Sequence, residues 1–150
     1  MNNRDISFMK EAIKCAQKAL LCGEVPIGAV IVKDGKIIAK GYNKSIKNTD
    51  TTAHAEIIAI RKACKKLNNY RLNDCTVYIT IEPCAMCTGA LIWARAKKIV
   101  FGAYDVKAGA CGSVFNIPSE RKLNHKIEVS GGLLQEECAT IIKEFFKNKR

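Results

Sequence analysis

The sequence predicts a layered α/β domain in which strands and helices alternate. Three observations support this: helical apolar spacing in the first twenty residues, two β-branched runs around an Asp-Gly turn, and later apolar runs separated by amphipathic segments. Helices between strands join them in parallel and cover the sheet. The 150 residues, 48% of them hydrophobic, can bury a full core, and residues 1–150 are expected to form a single domain.

Four elements are predicted in the N-terminal half. In chain order they are a helix over residues 5–20, strands over 27–32 and 36–42, and a helix from about 52 to 67. Asp5 is expected to cap the first helix, and Gly23 follows its end. The Asp34–Gly35 dipeptide is a strong hairpin signal. Thr51 or Thr52 is expected to cap the second helix.

The C-terminal half is predicted to continue the alternation. Its elements are a strand over residues 76–81, a helix over 83–94, a strand over 98–104, a weaker strand over 126–129 and a helix over 133–147. Pro83 suits the first turn of a helix. The stretch from 105 to 124 is long for a connection without structure, and such loops are often functional.

Composition limits where the protein acts and what it binds. No apolar run approaches the roughly 20 residues that span a bilayer, and the N-terminus lacks the pattern of a signal peptide. We therefore expect a cytoplasmic protein without a membrane segment. The net charge of +11 favours a polyanionic partner such as RNA, although a generally basic surface is the alternative. The cysteines outside the motif described next are expected to be reduced and buried: Cys15, Cys22, Cys64, Cys75, Cys111 and Cys138.

Two short motifs carry the chemistry: His54-Ala55-Glu56 and Pro83-Cys84-Ala85-Met86-Cys87, in which Cys84 lies 30 residues after His54. One imidazole and two thiolates can bind zinc, and a site with three protein ligands leaves the fourth position for water. The pattern H-x-E…P-C-x-x-C is the known signature of zinc nucleobase deaminases. His54, Cys84 and Cys87 are therefore the predicted ligands of one Zn²⁺ ion.

Glu56 is the predicted proton carrier of that site. The zinc lowers the pKa of water to about 7, and Glu56 would take the proton released as the water attacks the amidine carbon of a base. The same carboxyl would then protonate the ring nitrogen and the departing amine. A C-x-x-C motif alone also fits redox and structural sites, but a structural zinc site normally has four ligands. Glu82 is interpreted as a polar neighbour rather than a second base.

The chain resembles the cytidine-deaminase-like superfamily, and within it the bacterial tRNA-specific adenosine deaminases. The metal motif indicates the superfamily; the segment from 102 to 113 and the basic Phe-Phe terminus indicate the tRNA enzymes. The residues that carry the resemblance are 24–30 (EVPIGAV), 43, 52–57 (TAHAEI), 70–72, 82–90 (EPCAMCTGA), 100–103, 109–113, 124–125 and 145–146. The resemblance implies a three-layer α/β/α fold with a mixed, roughly five-stranded sheet.

The resemblance also implies deamination of the wobble adenosine of a tRNA anticodon to inosine, in a homodimer whose sites include residues from both subunits. The matching substrate-binding positions are Asn43, Val25, Pro26, Ala55, Asp105 and Phe146. Asn43 would read the base, because a neutral amide can donate and accept. Asp105 would touch the ribose and backbone beside the target. Tyr104, its neighbour, occupies a position that is often basic in relatives.

Several of these interpretations have structural alternatives. The sequence alone favours Asn43 as a turn residue that ends a strand, and only the resemblance favours a base reader. The two adjacent phenylalanines can both belong to the core or an interface. His125 can bind RNA or stabilise a loop, and the basic tail of Lys147, Lys149 and Arg150 can contact phosphate or be frayed. Two other functions also stay open: a deaminase of a free base or nucleoside, and a non-catalytic, zinc-stabilised RNA-binding module.

Overall fold

The computed structural model describes residues 1–149, so the predicted phosphate contact of Arg150 lies outside the described residues. The elements are α1 (Asn3–Leu21), β1 (Gly28–Lys33), β2 (Lys36–Tyr42), α2 (Ala55–Leu67), β3 (Cys75–Ile81), α3 (Ala85–Trp93), β4 (Lys98–Ala103), β5 (Glu128–Ser130) and α4 (Gln135–Asn148). The predicted order of helices and strands is confirmed.

The five strands form one mixed sheet in the order β2-β1-β3-β4-β5. β1 pairs antiparallel with β2 and with β3, whereas β3–β4 and β4–β5 are parallel. The pairing changes at β3, whose residue Tyr78 lies between Val30 of β1 and Val100 of β4. Each parallel pair joins consecutive strands through a crossover connection, which is α3 between β3 and β4 and the long stretch 104–127 between β4 and β5.

Two apolar clusters cover the two faces of the sheet, which gives the three-layer arrangement. α2 and α3 pack on one face, where Ala59, Leu91 and Ile79 are fully buried. α1 and α4 pack on the other, where Met9 and Cys138 are buried. Gly41 permits the close approach of α2, because a Cβ atom there would lie 2.5 Å from the Ala55 carbonyl oxygen. This approach places the beginning of α2 directly over the hairpin.

The helix starts differ from the sequence predictions. Asn2, not Asp5, is the N-cap of α1, and Asp5 completes a reciprocal capping box from the third helical position. The prediction that Thr51 or Thr52 caps α2 is wrong, because His54 occupies the N-cap and Thr52 donates instead to Asp50. Pro83 precedes the helix, whose N-cap is Cys84.

The remaining elements deviate from prediction by one or two residues, within the uncertainty of strand and helix ends. The stretch after β4 is not structureless: it contains a short 3₁₀ helix (Ile117–Ser119) and a bridge between Cys111 and Asn116. Among the scattered cysteines, Cys15, Cys75 and Cys138 are buried as expected, but Cys22 is exposed. No helix among residues 1–149 is long and apolar enough to cross a membrane.

Candidate active site

The three predicted metal ligands meet where two helices begin. His54 and Cys84 are the N-cap residues of α2 and α3, both with extended backbone, and Cys87 lies in the first turn of α3. His54 Nδ1 is 3.7 Å from Cys84 Sγ and 3.5 Å from Cys87 Sγ. Neither side chain forms an N-cap hydrogen bond. Both are directed instead to the cluster that they form with Cys87.

These separations fit a zinc ion. Ligands bound tetrahedrally at the usual Zn–N and Zn–S lengths lie about 3.5 Å apart. The three donor atoms all lie within 4.8 Å of one another, and they form the one such His/Cys/Asp/Glu group within residues 1–149. The donor set is borderline-soft, which suits zinc. The geometry is that of a three-ligand site.

Glu56 lies beside the ligands in the interior. Its side chain is only 3% exposed. Its Oε1 is the single buried side-chain nitrogen or oxygen atom in residues 1–149 without a hydrogen-bond partner. A buried polar atom without a partner is costly, and such atoms occur at functional sites. Burial raises the pKa of Glu56 above its usual range.

The ligand side chains influence each other electrostatically. Hydrogen bonds from Cys87 and then His54 lower the pKa of Cys84 to about 4. The Cys87 pKa is raised by its hydrogen bond to Cys84 and by burial. The hydrogen bond with Cys84 likewise raises the His54 pKa. Cys84 is therefore a thiolate near neutral pH, which is the form that binds metals.

The structure brings four of the six predicted substrate-binding residues together at the start of α2. The Asn43 side-chain oxygen accepts a hydrogen bond of 2.8 Å from the Ala55 N–H, next to His54 and Glu56. The Asn43 N–H donates to the Ile27 carbonyl, which directly follows the Val25–Pro26 turn. Asn43 is 6% exposed and Pro26 is buried. Asn43 is thus tied to both neighbouring segments and is more than the end of a strand.

Asp105 lies on a different loop, on the side of the cysteines. Its Oδ1 accepts hydrogen bonds from the N–H groups of Lys107 and Ala108, so part of this carboxylate shapes its own loop. The loop reaches the ligand region where the Ala110 N–H donates to the Pro83 carbonyl oxygen at 2.9 Å. Tyr104 is 49% exposed and packs edge-on against Phe101.

The C-terminal helix adds an exposed aromatic ring among lysines. Phe145 is buried, whereas Phe146 is 49% exposed. Phe146 is therefore not part of the core of this chain, whereas the alternative that both rings lie at an interface stays open. Phe146 lines a cavity of about 440 Å³ with one lysine from the Asp105 loop, two from α4 and the one that caps the end of α4: Lys107, Lys143, Lys147 and Lys149. His125 Nε2 contacts the Ala96 carbonyl oxygen at 2.6 Å, which favours its loop-stabilising role.

Two buried glutamates next to the site were not identified as anchors from the sequence. The Glu24 carboxylate accepts hydrogen bonds from the N–H groups of Ile46 and Lys47, and Glu82 accepts four from the loop that follows β4. Each directly precedes a proline-containing segment of the site. The sequence shows an acidic residue beside a proline segment in both cases. It does not show which loop each glutamate binds, because those loops are distant in sequence.

Comparisons with known proteins agree on one family. The family model for the cytidine and deoxycytidylate deaminase zinc-binding region matches residues 2–103. A tRNA-specific adenosine deaminase of Haemophilus influenzae is 48% identical over 147 residues, which cover 97% of this chain and 85% of the relative.

Solved structures give the same result. A structure from a study of A-to-I editing by tRNA:A34 deaminases at the wobble position of transfer RNA matches with a TM-score of 0.87 and 42% identity, covering 90% of this chain and 98% of the other. A guanine deaminase from Bacillus subtilis matches with a TM-score of 0.66 and 37% identity, covering 99% and 95%. With these relatives and its zinc-binding region, the chain belongs to the cytidine and deoxycytidylate deaminase family and, within it, to the tRNA-specific adenosine deaminases.

Proposed function

We propose that this protein removes the amino group of the wobble adenosine in a tRNA anticodon by hydrolysis, giving inosine and ammonia. The observation that carries the proposal is the buried, unpartnered Oε1 of Glu56 beside the three-ligand set. A closed structural site would need a fourth protein ligand, and residues 1–149 place only three together. This argues against the zinc-stabilised binding module and for a site that admits water and a base.

The proposed roles at the centre follow from the donor types. His54, Cys84 and Cys87 would hold the zinc ion, which supplies Lewis acidity that lowers the pKa of water. Glu56 would accept a proton from the attacking water at its free oxygen. It would deliver this proton to the ring nitrogen, and would then take the proton of the newly added hydroxyl group and pass it to the departing amine. A raised pKa suits a carboxyl group that must both accept and release protons.

Four residues are proposed to hold the adenine base. The Asn43 oxygen bonds the Ala55 N–H, which leaves the Nδ2 group to donate to the base. Val25 and Pro26 offer apolar surface on the neighbouring turn, and Ala55 borders the base from the first residue of α2. A base taken out of its stack needs both apolar contact and a hydrogen bond to its edge.

RNA contacts outside the base are proposed for Asp105 and Phe146. Phe146 is supported by its half-exposed ring beside four lysines, since aromatic stacking with phosphate neutralisation is typical of single-stranded nucleic-acid binding. Asp105 is supported by its loop, which also contributes Lys107 to this cavity. The net charge of +11 supplies the long-range attraction for tRNA.

The assembly and location are also proposals. We infer that residues 1–150 act as one deaminase domain in a homodimer in the cytoplasm, where mature tRNA is available. Large apolar side chains at the surface support a dimer, among them Trp93 at 84% exposed and Tyr70 at 74% exposed. Light scattering of the purified protein tests this, and a monomer at micromolar concentration would contradict it.

The experiment that tests the function is inosine formation in an anticodon stem-loop by the wild-type protein and by Glu56→Ala. Removing the proton carrier is expected to slow the reaction by about 10²–10⁴-fold while zinc content stays at one per chain. Sequencing of the RNA measures inosine, and atomic emission measures zinc. Substantial remaining activity in the zinc-loaded variant would contradict the role of Glu56.

Deamination of a free base is the second candidate, because the guanine deaminase structure covers nearly the whole chain. Turnover of the stem-loop is compared with turnover of guanine, cytosine and their nucleosides. We expect turnover of the stem-loop to be faster than turnover of any free base or nucleoside. Binding of the stem-loop should weaken as the salt concentration rises. Faster turnover of a free base would establish the second candidate instead.

A further inference from the structure

Glu82 is the most highly bonded side chain of the site region, and none of the proposed steps uses it. It directly follows β3 and precedes Pro83 and the ligand Cys84, and it is only 1% exposed. Its carboxylate accepts four hydrogen bonds, all from residues 105–113, which we call the anchored loop. The donors are the N–H groups of Asp105 at 3.1 Å, Cys111 at 3.0 Å and Ser113 at 3.0 Å, and the Ser113 hydroxyl at 2.5 Å.

This bonding excludes a role for Glu82 in moving protons. An ionised carboxylate is an acceptor with about four lone-pair positions, and four donors occupy them here. Glu82 therefore differs from Glu56, whose Oε1 has no partner. Hydrogen bonds to a charged acceptor are also stronger than those between neutral groups. The Glu82 carboxylate therefore holds the backbone of the anchored loop in place.

The same contact is visible from the side of the loop. Gly109 lies so close to Glu82 that a Cβ atom there would be 2.3 Å from the carboxylate carbon. The loop is further tied to the ligand segment, because the Ala110 N–H donates to the Pro83 carbonyl oxygen at 2.9 Å. Glu82 and its neighbour Pro83 therefore attach the loop at several points to the strand end that leads into Cys84.

We propose that Glu82 is a positioning residue that sets how tightly the RNA substrate is held, by fixing the anchored loop relative to the zinc-ligand turn. The proposal rests on the proposed function, because Asp105 and Lys107 of this loop are the proposed RNA contacts. The loop contributes none of the metal ligands and does not contain Glu56. Loss of the anchor therefore weakens binding of the RNA and leaves the chemical step in place.

The test begins with Glu82→Gln in the zinc-loaded full chain. The amide keeps one acceptor oxygen but directs an NH₂ group at two of the former donors. We expect the KM for an adenosine-containing anticodon stem-loop to rise about tenfold while kcat changes by less than about threefold. Zinc content is expected to stay at one per chain. A lower kcat with unchanged KM, or loss of zinc, would overturn the proposal.

Gly109→Ala is the second variant, and it probes the same contact without changing charge. It is expected to raise KM to a similar degree. The KM of the double variant should exceed that of the stronger single variant by less than about twofold, because both substitutions disturb one contact. If Glu82→Gln does not fold, Gly109→Ala decides. An unchanged KM in Gly109→Ala, or independent effects that multiply in the double variant, would contradict the proposal.

Hydrogen exchange of the backbone amides separates this proposal from the proposed function. Glu82→Gln should accelerate exchange at Asp105, Cys111 and Ser113. Glu24→Gln is the matched control, since it removes the other buried glutamate anchor and should accelerate exchange at Ile46 and Lys47 only. If the wild-type protein forms no inosine, the proposed function fails, whereas exchange still decides whether Glu82 fixes the loop. Unchanged exchange in Glu82→Gln would refute the anchor.

Discussion

The metal-ligand region and the proposed RNA-contact region differ in how their side chains are held. His54, Cys84 and Cys87 lie at the starts of two helices that are packed on the sheet. Asp105 and Phe146 instead lie on a loop and near the end of the last helix, and Phe146 is half-exposed. The first region is held by the core, whereas the Asp105 loop of the second region is held by hydrogen bonds to Glu82.

From this difference we expect that the chemical step and the affinity for RNA can be changed separately. A change in the core-held region, which comprises His54, Glu56, Cys84 and Cys87, is expected to remove a ligand or the proposed proton carrier and to affect every substrate. A change in the exposed region, at Asp105 or Phe146, is expected to alter how well RNA is bound while the reacting groups remain in place. The three predictions below test this separation from the centre outwards.

The largest effect is expected from Cys87→Ser, which breaks the core-held region. A serine hydroxyl is a poor zinc ligand, so zinc content should fall well below one per chain and inosine formation should fall at least as far as in Glu56→Ala. Atomic emission and RNA sequencing measure the two quantities.

Cys138→Ser is the matched control for this prediction. It makes the same substitution at a buried cysteine on the opposite face of the sheet. It should keep zinc and activity, while the buried hydroxyl lowers the free energy of unfolding by about 1–3 kcal/mol. Full zinc loading in Cys87→Ser would show that the ligand assignment is wrong.

An intermediate effect is expected at Asn43, which is buried next to the metal-ligand region and bonds the Ala55 N–H. Asn43→Ala leaves the buried Ala55 N–H without an acceptor and should reduce the free energy of unfolding by about 1–3 kcal/mol. Asn43→Asp keeps the acceptor and loses the NH₂ donor, so it should retain stability while kcat/KM falls about tenfold. Denaturant unfolding and steady-state kinetics measure these values. Wild-type kcat/KM in Asn43→Asp would eliminate Asn43 as a reader of the base.

The smallest effect is expected at the cavity beside Phe146, from the double substitution Lys147→Ala and Lys149→Ala. Each lost phosphate contact should reduce the slope of log affinity against log salt by about one, with kcat unchanged. Lys65→Ala with Lys66→Ala is the control, since it removes the same charge from the exposed end of α2. Titrations of fluorescent stem-loop RNA measure the slopes. Equal slopes in the two double variants would assign the effect to net charge rather than to this cavity.

The sequence predicted which three ligand side chains come together, whereas the roles of Glu56 and of the exposed residues stay predictions. The ligands and Glu56 follow from two short motifs, and the order of elements follows from apolar spacing. The cap of α2 was missed because a threonine is a better cap by propensity than His54, whose side chain is directed to the cysteines instead.

The anchoring of the exposed region could not be read from the sequence. The Glu82 carboxylate meets residues that lie 23 to 31 positions later in the chain, and no local pattern encodes that distance. The same is true of the cavity that places Lys107 beside Phe146, since the loop and α4 meet only in the folded chain. Local propensities specify elements, whereas these contacts depend on how loops return to the sheet.

Main-chain N–H groups donate three of the four hydrogen bonds that Glu82 accepts. The attachment of the loop to Glu82 therefore does not depend on most of the side chains in the loop. Any residue except proline carries that N–H group. Positions 106, 107 and 108 are exposed. They therefore form a natural set for randomised libraries. Protein engineers could select for altered RNA preference there while the catalytic centre retains its geometry.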